Sequence, residues 1–146
     1  GFRRQAYEYP VNLFRIVYVS RAAGSVADGL LPLIDIIGVS DRNNRRDHLT
    51  GALLRHEGYF IQAIEGARVD LDRLMTRLRQ DRRHDGLRIL SERAVEQRRF
   101  GDWAMVRLDA PPAATTFLEQ HLDAPDAGAR AEALLIEASR SMAVAP

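Results

Sequence analysis

Hydrophobic positions along this chain change period several times, and each change marks a new element. Asn12 to Val19, NLFRIVYV, is β-branched and aromatic, and it predicts a strand. Phe14, Ile16 and Tyr18 share one face of it; Leu13, Val17 and Val19 share the other with Arg15. After a loop at residues 20–29, Leu30, Leu33, Ile34 and Ile37 recur at helical spacing, with Pro32 acceptable in the first turn. That helix runs out near Asn43-Asn44. Residues 49–66, LTGALLRHEGYFIQAIEG, read as two short apolar strands joined by a tight turn at Glu57-Gly58. Leu71, Leu74, Met75 and Leu78 predict a second helix, ended by a polar turn from Gln80 to Gly86. Leu87 to Val95 gives another strand and Trp103 to Leu108 a fifth. Pro111-Pro112 mark a boundary, followed by helical patterns around Phe117, Leu118 and Leu122 and around Ala131, Leu134, Leu135, Ala138 and Met142.

The order is β-α-β-β-α-β plus one strand. This predicts an α+β, ferredoxin-like fold: a mixed sheet with two helices on one face, an additional fifth strand, and C-terminal helices. Residues 1–11 are expected to form an N-terminal arm, 12–108 the domain, and 109–146 a helical extension. The extension is too short for a domain of its own. It is expected to cover the open face of the sheet, make a dimer contact, or both. The first and third strands are expected to lie side by side and parallel, bringing Tyr18 to Gln62.

Composition narrows the classes. With 46% hydrophobic residues the chain has material for a core, and 21 basic against 20 acidic residues argue against a dedicated nucleic-acid binder. No apolar run approaches the roughly 20 residues of a membrane span. A cytoplasmic location is expected. The absence of cysteine removes disulfides, thiolate metal sites and cysteine nucleophiles together. His48, His56, His84 and His121 show no metal-ligand spacing. No Ser-His-Asp set, phosphate-binding glycine loop or paired carboxylates stand out, so no catalytic site is expected.

The candidate chemistry lies in polar residues at apolar positions. Gln62 shares a strand face with Phe60 and Ile64. An amide buried there needs partners or costs about 1–3 kcal/mol. Tyr18 closes the core face of the first strand, and Asn43 and Asn44 end the first helix above the same region. Trp103 and Met105 alternate onto one face of the last strand. Taken singly, each has a plain reading: a core tyrosine, an edge-strand glutamine, a helix C-terminus, two packing residues. Arg82-Arg83-His84 reads singly as a charged turn, and Glu65 as a strand-end carboxylate paired with an arginine.

Taken together these residues resemble a known family. Tyr18, Asn44, TGALL at 50–54, FIQAIEG at 60–66, DRRH at 81–84 and RFGDWAM at 99–105 are similar to the BLUF domain, the blue-light sensor that uses FAD. The resemblance runs from about residue 12 to 108 and spreads over six elements in the right order. The chain departs from the pattern in a longer loop after Tyr18, and in Val106 where a glycine often follows the methionine.

The resemblance implies a flavin between the two helices: FAD, with FMN or riboflavin as other occupants. Asn44 would bond the polar edge of the ring, and Gln62 would stand between Tyr18 and the ring's N5 and O4 positions. Asn43, Arg83 and His84 would be nearby polar contacts, and Asp81 would touch the ribityl chain. Light would drive electron and proton transfer from Tyr18 to the flavin. Gln62, donor and acceptor in one shape, would then exchange its bonds. Trp103 and Met105 would relay the change through the last strand and the C-terminal helices to an unidentified protein partner. A homo-oligomer, dimer or larger, is expected. Lack of cysteine excludes the cysteinyl adduct used by LOV domains. The alternatives are a non-photochemical ferredoxin-like binding or assembly module, or an acyl phosphatase-like enzyme. The latter would need a phosphate loop that is not present in the required form.

Overall fold

The computed structural model of the chain describes residues 13–23, 48–82, 84–101 and 106–144. The N-terminal arm, the first predicted helix with Asn43 and Asn44, Arg83, and the Trp103 and Met105 positions lie outside the described residues. The described elements are β1 (Leu13–Ala22), β2 (Thr50–His56), β3 (Tyr59–Ala67), α1 (Arg68–Gln80), β4 (His84–Val95), β5 (Val106–Leu108), α2 (Ala113–Thr116), a π-helical turn (Phe117–His121) and α3 (Ala127–Val144). The sheet order is β4-β1-β3-β2-β5. This is the ferredoxin-like α+β arrangement with a fifth strand added at the β2 edge.

The sheet is mixed, but not where it was expected to be. β1 and β3 are neighbours and run antiparallel, not parallel. β2 and β3 form a hairpin, so β3 must reverse direction, and β3 lies antiparallel to both its neighbours. β1 and β2 therefore point the same way with β3 between them. The parallel pair is β2 with β5 at the edge. The hairpin turns where Glu57 (φ 50°) and Gly58 (φ 83°) both adopt left-handed backbone, matching the twist of the flanking strands. β4 begins at His84 rather than at Leu87. Gly86 (φ 61°) absorbs an irregularity in the ladder, so Asp85 and His84 go on to pair with Arg21 and Ala22.

Alternation decides the packing. Ile16, Tyr18, Leu53, Phe60 and Ile64 form one core with Leu71, Leu74, Met75 and Leu78 of α1. Val17, Val19, Leu54, Ile61 and Ala63 turn to the opposite face, where Phe117, Leu134 and Leu135 of the C-terminal segment cover them. Of the two roles expected for that segment, covering the sheet is the one seen. Each such Leu or Ile contributes about 1.5–3 kcal/mol by leaving water. α1 carries Asp70 in its first turn and Arg77 and Arg79 in its last, matching the helix dipole.

α3 approaches β4 closely because residue 128 has no side chain. A Cβ there would fall on the Leu90 carbonyl oxygen and lie 2.7 Å from Ser91 Cβ. Gly128→Val should therefore lower the unfolding free energy by about 1–3 kcal/mol through overpacking, as read by urea denaturation.

Candidate functional site

The site grows out of one rung of the β1–β3 ladder. Tyr18 lies directly opposite Gln62, and Gln62 lies opposite Leu53 on its other side. Both polar side chains point to the α1 face and are almost wholly buried, at 2% and 4% exposure. The Tyr18 hydroxyl donates to Gln62 Oε1. With that oxygen accepting, the carboxamide nitrogen is the donor end of Gln62.

Burial pushes the Tyr18 phenol up from its ordinary value, and the negative charge of Asp81 pushes it further. The phenol is thus neutral and a donor throughout the physiological range. Asp81 itself caps the C-terminus of α1, its backbone N–H donating to the Leu78 carbonyl.

His84, the first residue of β4, closes the same pocket. One ring nitrogen, Nδ1, lies 2.7 Å from Ser20 Oγ, and the other, Nε2, lies 2.6 Å from the Leu78 carbonyl oxygen. A carbonyl only accepts, so Nε2 carries the proton, and in the neutral ring Nδ1 accepts from the Ser20 hydroxyl. The imidazole stands edge-on to Tyr18 and Phe60, with ring centroids 6.2 and 6.3 Å apart. His84 is thereby brought to Tyr18, with both nitrogens engaged by the protein.

Of the residues singled out from the sequence, Tyr18, Gln62, Asp81 and His84 converge here. Asn43, Asn44, Arg83, Trp103 and Met105 lie outside the described residues. Ser20 was missed. Its signal was weak: a small hydroxyl residue at the end of a strand. Glu65 is paired with an arginine, as its position in the strand suggests, and the arginine is Arg15.

The donor set suits a flavin. A phenol and an amide are buried together on the helical face. Among the described residues, a terminal guanidinium nitrogen of Arg77 is buried with no hydrogen-bond partner. It stands on the flank of α1 opposite the one carrying Asp72, Thr76 and Arg79, which line a cleft with Ile89 of β4. A buried guanidinium nitrogen calls for an acceptor, and a flavin nucleotide offers carbonyl and phosphate oxygens. Among the described residues no group of three or more His, Asp or Glu is placed to hold a metal, and no helix is long and apolar enough to cross a membrane.

Fold and site define an α+β module that holds a phenol against an amide under its helical face. The family described as "Sensors of blue-light using FAD", BLUF, matches residues 13–106, and the chain belongs to that family. Its cofactor is a flavin, FAD by the family's description. The chain is 31% identical over 94 residues to the photoactivated adenylate cyclase subunit beta of Euglena longa, and equally to that of Euglena gracilis. The match spans 64% of this chain but 11% of those proteins. Among solved structures, the BLUF protein BlrB in its dark state superimposes with a TM-score of 0.75 at 26% identity, over 91% of this chain and 98% of that one. Klebsiella pneumoniae BlrP1 with FMN and cyclic diGMP gives 0.60 at 26%, over 66% of this chain and 26% of that one.

The raised phenol has a consequence for stability. An unfolded tyrosine ionises around 10.0, whereas the native one holds its proton to higher pH. The stability it contributes is whole below the unfolded value and is lost as pH rises beyond it toward the native one. Between about pH 9 and pH 11 the urea unfolding free energy should fall, by up to about 1.4 kcal/mol per pH unit from this group. The fall should be shallower in Tyr18→Phe.

Proposed function

We propose that this chain is a blue-light photoreceptor whose switch is the Tyr18–Gln62 pair. The bound flavin supplies a ring that, when excited by blue light, takes up an electron and a proton. Tyr18 gives the electron; its hydroxyl proton leaves through Gln62, which it already meets. A neutral phenol that loses an electron becomes a strong acid, so the two transfers go together. Gln62 then rotates or tautomerises and presents its donor end where its acceptor end had been, at no change in volume. The altered bonding moves the absorption of the bound ring to the red. Asn44 and Asn43 would hold the polar edge of the ring, Asp81 and Arg83 would serve its tail, and His84 would keep Tyr18 in place.

The observation that carries this reading is the buried hydrogen bond from Tyr18 to Gln62. An inert core tyrosine would more simply bond a backbone carbonyl. On this reading the chain is a sensory module without a catalytic site of its own, and it acts in the cytoplasm. It assembles as a homo-oligomer and signals to a protein partner through Trp103, Met105, the last strand and the C-terminal helices.

The purified protein should be yellow and should show a reversible red shift of its flavin bands after blue illumination. Tyr18→Phe and Gln62→Leu keep the shape of the pocket, so both should bind flavin and neither should show the shift. A variant that shifts normally would remove its residue from the switch. A colourless protein that takes up no flavin would favour a non-photochemical binding module.

A further inference from the structure

The β1–β3 ladder carries a second polar pair. Arg15 lies directly opposite Glu65, as Tyr18 lies opposite Gln62. Three rungs separate the pairs, roughly 10 Å along the strands. Three is an odd number, so the second pair points to the other face of the sheet, toward the C-terminal segment.

Glu65 is fully buried and meets four donors. Its Oε2 accepts from Arg15 Nε at 2.8 Å and from the backbone N–H of Arg99 at 2.7 Å. Its Oε1 accepts from Thr50 Oγ1 at 3.0 Å and from the backbone N–H of Phe100 at 2.9 Å. Arg15 reaches onward, to the Gln97 carbonyl and to Glu132 Oε1 of α3, both at 3.2 Å. Arg93 of β4 shares that Glu132 oxygen at 2.7 Å. One buried carboxylate therefore fastens β3 to β1, to the Gln97–Phe100 loop before β5 and, through Arg15, to α3.

A buried ion pair is often no more than structural. Its placement argues for more. Gln62 and Glu65 ride on one short stretch of β3, and their partners Tyr18 and Arg15 ride on one short stretch of β1. A shift of β3 against β1 that accommodates a turned Gln62 also displaces Glu65. Its bonds to two backbone N–H groups and a guanidinium are directional, so displacement exchanges partners rather than stretching them. We infer that Glu65 and Arg15 are the positioning pair that conveys the state of Tyr18–Gln62 through the sheet to the Gln97–Phe100 loop and to α3. The inference rests on the photochemical reading above.

The test is hydrogen exchange by mass spectrometry on the full flavin-loaded chain, in the dark and under blue light, with absorption spectra taken on the same samples. The wild type should show the red shift and a light-induced exchange difference in both the loop and α3. Glu65→Gln replaces an acceptor oxygen with a donor facing donors. It should keep the red shift and lose both exchange differences. A purely structural role would lower stability and leave those differences in place, and that result would overturn the inference. Glu132→Gln alters a residue at the rim of the network, with 12% side-chain exposure, and so decides the matter if the first variant does not fold. It should keep the red shift and the loop difference and lose the one in α3; an unchanged α3 response would overturn the inference. A wild type without any red shift would instead defeat the photochemical reading itself.

Discussion

The register of β3 against β1 is the constraint on which the rest depends. Both strands are central, and both are covered on both faces. Side chains alternate with period two, so a slip of one residue would carry every side chain of β3 to the wrong face. Gln62 would turn from α1 toward the C-terminal helices, and Ile61 would take its place. Apolar packing on two faces thus sets the partner of Tyr18. Neither Tyr18 nor Gln62 has to find the other through its own bond, which is weak beside the burial around it.

Among the described residues three buried polar centres are answered within the protein, while one guanidinium nitrogen of Arg77 is not. Tyr18 meets Gln62, His84 meets Ser20 and the Leu78 carbonyl, and Glu65 meets Arg15, Thr50 and two backbone N–H groups. Leaving any of them unpaired would cost about 1–3 kcal/mol, more for the charged ones. The two faces are treated differently. On the α1 face Tyr18 and Gln62 carry groups that can both donate and accept. The opposite face holds an ion pair, whose roles do not reverse.

Much of this was legible in the sequence. The β2–β3 hairpin followed from two apolar runs around Glu57-Gly58, and α1 from Leu71, Leu74, Met75 and Leu78. Gln62 and Tyr18 stood out because each is polar within an apolar strand, on a face that local alternation identifies. Strand direction is not legible in either strand alone, because the reversal that the hairpin imposes on β3 carries through to its other neighbour. The start of β4 was hidden by His84, Asp85 and Gly86, whose composition is that of a turn although their backbone continues the ladder. Arg15 and Glu65 were visible as charges in strands, but fifty residues separate them. Their pairing, and the reach to Glu132, became readable only once the register was known.

The family match ends at Val106, and the helices that close the far side of the sheet begin at Ala113. That side presents Val17, Val19, Leu54 and Ile61, which water cannot be left to cover. In this chain the lid comes from outside the matched segment, and it rests on the back of the strands that carry Tyr18 and Gln62. On the photochemical reading proposed above, whatever packs on that lid stands one sheet's thickness from the Tyr18–Gln62 pair.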